Sequence, residues 1–127
     1  MLTAGKEREY LSWFYRLAYN PEAITQADID KYVASYSAPG GMRARFEYYR
    51  AFPTTLEQNR DHANVKLPMP VLALGGEYSF GNAALTSMKF LATDVRGGIV
   101  PFSGHWIAEE RPEFLIEQLL SFFSDSS

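Results

Sequence analysis

The sequence predicts an α/β protein in which an all-helical first half is followed by a β-α-β-α second half with parallel strands. Three observations carry this. Up to about residue 64, apolar and aromatic side chains recur at helical spacing. Val71-Leu72-Ala73-Leu74 is a short continuous apolar run closed by Gly75-Gly76, which is how a strand covered on both faces reads. A second strand-like run, Val95 to Val100, lies one helix length further on and is followed by an amphipathic stretch.

Taken in order, residues 4–19 read as a helix with Tyr10, Trp13, Phe14 and Leu17 on one stripe, although Leu11, Tyr15, Ala18 and Tyr19 make its other side apolar too. Asn20-Pro21 breaks it. Thr25, with Asp28 three residues later, resembles a capping box opening a second helix that ends near Ser37. After the Pro39-Gly40-Gly41 turn, Met42, Phe46 and Tyr49 share a face of a third helix, which Pro53 interrupts or stops. A fourth, mostly polar helix is expected over about 55–64. Beyond the Leu67-Pro68-Met69-Pro70 boundary come the first strand, a helix over 83–91, the second strand, a loop carrying His105, and a last helix over 112–123 with Leu115, Leu119 and Phe122 aligned.

With 127 residues the chain falls in the range of roughly 100–200 residues of one domain. Twelve basic and fifteen acidic residues, with no long run of like charge, remove the footprint of a nucleic-acid binder. There are no cysteines, and neither of the two histidines lies in a ligand spacing, so no metal site and no cofactor are expected. No run of about 18 apolar residues occurs, so no membrane partner is expected and the cytoplasm is the expected location. Nine Phe, eight Tyr and two Trp suit either a packed core or an apolar pocket with polar handles.

Two parallel strands apolar on both faces cannot by themselves pair their edges. The chain is therefore expected to form a homo-oligomer or to dock with a complementing N-terminal part.

Gly104-His105-Trp106 follows the second strand and precedes the last helix, the place where α/β enzymes hold reactive loop side chains. Two readings fit His105: a proton-transfer group, or a loop histidine satisfied by backbone. His62, on a polar stretch, reads as a surface residue.

Leu11-Ser12-Trp13-Phe14, Tyr36 to Arg43, Tyr48-Tyr49-Arg50-Ala51, Val71 to Glu77 and Gly104-His105-Trp106 together resemble the epoxide hydrolase and haloacetate dehalogenase branch of the α/β-hydrolase family, over essentially the whole chain. The resemblance implies a partial α/β-hydrolase fold. Residues 1–62 would be the later part of the helical cap, and residues 67–127 the C-terminal part of the core with its last two strands. It implies that His105 is the catalytic histidine, activating water or serving as general base. Tyr49 would hydrogen-bond a substrate oxygen from the cap, and Trp13 would line the same pocket. Gly104 would permit close backbone approach, and Trp106 would wedge the loop against the core.

The family's nucleophile elbow and oxyanion-hole segment are expected upstream of the cap, and no G-x-S-x-G motif occurs in this chain. Ser79 is rejected as a nucleophile on spacing. It stands where many relatives place an orienting aspartate, which leaves Glu77 as the nearest candidate orienting acid. The expected function is that of the C-terminal part of a hydrolase for a small-molecule substrate such as an epoxide, halide or ester, inactive alone. The alternatives are a non-enzymatic binding or assembly module, or one half of a complemented split hydrolase.

Overall fold

The structure, a computed structural model, describes residues 3–124. Its elements run α1 (Glu7–Tyr15), α2 (Gln26–Ser37), α3 (Gly41–Arg50), α4 (Phe52–His62), β1 (Val71–Gly76), α5 (Ala83–Leu91), β2 (Val95–Val100), α6 (Ile107–Glu110) and α7 (Pro112–Ser124). The element order expected from the sequence is observed: a helical segment, then β-α-β-α with parallel strands.

The capping box at α2 forms as read. Thr25 Oγ1 accepts from the Asp28 N–H, and the Asp28 carboxylate accepts from the Thr25 N–H. Pro53 both ends α3 and starts α4, because a proline lacks the N–H that a helix interior needs and its fixed φ suits a first turn.

The first helix is shorter than the 4–19 expected. It ends at Tyr15, where the Leu17 and Ala18 N–H groups bond back only three residues, to Phe14 O and Tyr15 O. This tighter last turn frees carbonyls that are then used by the His105 loop. The short helix α6 was not expected; four residues carry too little periodicity to be read.

β1 and β2 form a two-stranded parallel sheet in register from Val71 opposite Val95 to Gly76 opposite Val100. The Glu77 N–H to Val100 O bond carries the ladder one step further. α5 packs against both strands. On the other side, Leu72 and Leu74 look across an open cleft of about 520 Å³ toward Leu115 and Leu119 of α7. Both outer strand edges are unpaired among the described residues, and no helix there is long and apolar enough to cross a membrane.

In the helical half, Leu11, Tyr15 and Ile24 form a buried cluster, with Tyr32, Val33, Tyr36 and Trp106 packed against it. Trp106 belongs to the loop after β2, so the helical core packs against the sheet half at that ring.

Candidate active site

Two glycines bring the His105 loop to its place. A Cβ on Gly76, the last residue of β1, would run into the carbonyls of Gly104 and Ser103. One on Gly104 would run into Leu17 O and the Tyr19 N–H. The end of β1, the loop after β2 and the exit of α1 therefore meet backbone to backbone, at a spacing only glycine permits.

Hydrogen bonds lock this junction. The His105 N–H donates to Leu17 O at 3.0 Å, and Trp106 Nε1 donates to Phe14 O at 3.0 Å. The Glu110 carboxylate then accepts four backbone N–H groups. Oε1 takes those of Tyr19 (2.6 Å) and Asn20 (2.9 Å), and Oε2 those of Gly104 (2.8 Å) and Trp106 (3.3 Å). Charge-assisted bonds of this kind are among the stronger ones available to a carboxylate. Sequence reading missed Glu110; its only signal was an acidic residue in the first turn after a loop rich in backbone donors.

A second carboxylate braces the strand end. Glu77 Oε2 accepts from the Phe102 N–H at 2.9 Å, and Phe102 sits at φ 54°, in the left-handed region that a side chain with a Cβ rarely adopts. Arg111 Nη1 donates to Pro101 O at 2.6 Å beside it. Ser103 is fully buried and its carbonyl accepts from the Tyr78 N–H. Tyr78 in turn stacks on Tyr19 with centroids 4.2 Å apart. Its hydrogen bond with Tyr19, and then the charge of Glu77, raise the Tyr78 phenol above its ordinary range.

The imidazole of His105 is exposed at the end of β2. Nδ1 lies 3.5 Å from Ser79 Oγ, the ring meets Trp106 edge-on at 5.3 Å, and Phe80 stands 6.1 Å away. Nε2 takes no protein hydrogen bond among the described residues. Glu77, expected as an orienting acid, turns its carboxylate to Phe102 instead; the group beside Nδ1 is Ser79.

The difference is chemical. A carboxylate only accepts, so it would hold the proton on Nδ1 and leave the Nε2 lone pair as a base. A hydroxyl both donates and accepts, so Ser79 permits either tautomer, with Nε2 as base or as acid. Ser79 itself is poorly placed to attack. It approaches the orienting nitrogen and not Nε2, and the N–H groups of Ser79 and Gly81 both point back to Gly76 O, where they cannot serve an oxyanion.

The other expected site residues lie apart from His105. Tyr49, more than half exposed, packs edge-on against Tyr48 and lines a shallow hollow with Tyr36, Ala44 and Arg45. Trp13, also more than half exposed, lines a separate hollow with Lys6, Glu9 and Tyr10. Neither hollow includes His105. His62 is exposed.

No protein-family model matches the chain. It is 34% identical over 106 residues to the soluble epoxide hydrolase of Corynebacterium sp. (strain C12), covering 84% of this chain and 37% of that protein. Among solved structures, Cfl2 from Burkholderia cenocepacia superposes with a TM-score of 0.88 at 41% identity, over 96% of this chain and 42% of that one. The epoxide hydrolase CorEH superposes with a TM-score of 0.90 at 31% identity, over 98% and 44%. The chain has a partial α/β-hydrolase fold and is similar over it to proteins of the epoxide hydrolase branch. It spans roughly two fifths of the length of these hydrolases.

Proposed function

We propose that this chain supplies the proton-transfer histidine of an α/β-hydrolase acting on a small epoxide, halide or ester. Residues 1–62 serve as the later part of the cap and residues 67–127 as the C-terminal part of the core. The observation that carries this reading is the exposed His105 imidazole, held at the end of a parallel strand by a braced backbone, with Nδ1 met by a side chain and Nε2 open. The attacking group and the oxyanion donors come from residues outside this sequence, so the chain alone does not turn over substrate. In the completed enzyme Tyr49 donates its phenol to the substrate oxygen, while Trp13, which lines a different hollow, is left out of that pocket.

Purified chain is to be assayed against epoxides, fluoroacetate and p-nitrophenyl esters, with and without the upstream part of the reading frame. No turnover alone, and activity with the upstream part that His105→Ala abolishes, are the expected results. Turnover by the isolated chain that His105→Ala removes would overturn the proposal.

The open strand edges and the exposed Ile99, Phe90, Ile116 and Leu120 favour a second reading, in which copies of the chain associate through the sheet half. Light scattering on a sizing column is expected to show a dimer or larger species that Ile116→Glu with Leu120→Glu reduces to monomer; a wild-type monomer rules this reading out.

A further inference from the structure

Among the described residues Phe102 is the one position besides glycine held at positive φ, at 54°. A Cβ crowds the backbone there, so the conformation persists only where the surroundings enforce it. The Phe102 ring does not enforce it. It is 59% exposed, and its neighbours, the Tyr19 ring at 6.3 Å and the Arg111 guanidinium at 6.0 Å, stand near the outer limit of useful aromatic contact.

The hold is on the backbone, and Glu77 supplies both ends of it. Its N–H donates to Val100 O at 3.0 Å, and its carboxylate accepts from the Phe102 N–H at 2.9 Å. One residue at the exit of β1 thus pins the turn that leaves β2 on either side of Pro101. That proline has no N–H, and its carbonyl is taken by Arg111. The Phe102 N–H is therefore the only backbone donor of these two residues, and the Glu77 carboxylate answers it.

The turn sets where His105 stands. Past Phe102 the chain has no slack: Ser103 O accepts from the Tyr78 N–H, and Ser103 O and Gly104 O press on Gly76 more closely than a Cβ would allow. Three residues after Phe102, the imidazole brings Nδ1 within 3.5 Å of Ser79 Oγ. A change of φ at Phe102 rotates everything downstream of it, so relaxation to the extended region would carry this segment off β1 and the ring away from Ser79.

We propose that Glu77 is a positioning residue for His105 that acts through the backbone: by holding Phe102 in the left-handed turn, it keeps the imidazole beside Ser79 with Nε2 open. That the ring so held transfers protons rests on the function proposed above; that Glu77 sets its place does not.

Imidazole NMR of the full chain tests it, with His62, exposed on α4, as an internal reference. Glu77→Ala is expected to shift the Nδ1 and Nε2 signals of His105 and to weaken the nuclear Overhauser contacts between its ring and Phe80, leaving His62 unmoved. Glycine adopts positive φ without strain, so in a Phe102→Gly background the same substitution is expected to shift His105 by about half as much or less. A general loss of structure at Glu77 would not be relieved by changing residue 102. Should Glu77→Ala fail to fold, the Phe102 amide is read in the wild type alone, where exchange with solvent about tenfold slower than in the unfolded chain is expected. Unmoved His105 signals in Glu77→Ala, an equal shift in the Phe102→Gly background, or a Phe102 amide exchanging freely in the wild type each overturn the proposal. An inactive completed enzyme in which His105 still answers to Glu77→Ala would sink the hydrolase reading and support this one.

Discussion

In the helical half, large side chains are buried: Leu11, Tyr15, Ile24 and Met42, with a surrounding shell of aromatic rings. In the sheet half, the buried apolar side chains are as small as Ala73, Ala92 and Val100, while Phe90, Ile99, Ile116 and Leu120 stand half or more exposed. Folding both halves orders backbone at similar entropic cost per residue, and the larger of the buried side chains that offset it lie in the helical half. The sheet half is shaped to be covered. That contrast agrees with a chain spanning about two fifths of the length of the related hydrolases.

The sharpest way to break the contrast is a matched pair of truncations. Leu11→Ala, at a side chain 1% exposed, is expected to lower stability by about 2–5 kcal/mol. Leu120→Ala, 65% exposed, is expected to change it by no more than about 0.5 kcal/mol. Urea denaturation followed by tryptophan fluorescence measures both, and equal losses would erase the distinction between the halves.

The seam between the halves is next. Glu110→Gln removes the charge that four backbone donors share, with an expected cost of about 1–3 kcal/mol. The His105 ring protons should shift in the NMR spectrum of that variant as the loop loosens; an unchanged spectrum would show that the carboxylate positions nothing. Gly104→Ala forces a methyl against Leu17 O and is expected to cost about 1–3 kcal/mol, read as a lower midpoint in the same denaturation.

The smallest effect is local to α2. Thr25→Ala removes the N-cap and should cost about 1 kcal/mol at neutral pH. The hydrogen bond from Thr25 first, and Lys31 in lesser part, hold the Asp28 carboxyl below its ordinary range. Its contribution to stability is therefore present above the ordinary carboxylate range and is lost as pH falls through the lowered value. The stability gap between wild type and Thr25→Ala should narrow in acid, and a gap constant with pH would show that Asp28 is not coupled to the cap.

Much of this architecture was legible from pattern alone. The runs at Val71 and Val95, the breaker at Pro53 and the Thr25–Asp28 pair each rest on local chemistry, and local chemistry is what a sequence displays. The premature end of α1 was not legible, since the carbonyls released there are taken up by a loop about ninety residues later. His105 could be picked out from its place after a strand. Its neighbour could not, because whether Glu77 or Ser79 faces Nδ1 depends on the strained turn at Phe102, which draws Glu77 away.

Glu110 has a mechanical consequence. Because one carboxylate grips the amides of Tyr19 and Asn20 together with those of Gly104 and Trp106, the helical layer and the histidine loop share a rivet at this corner. Any lid-like swing of the helices about α1 must either pull the imidazole along or shear that rivet, so whatever opening admits a guest to His105 is cheapest when it pivots here and gapes at the far end.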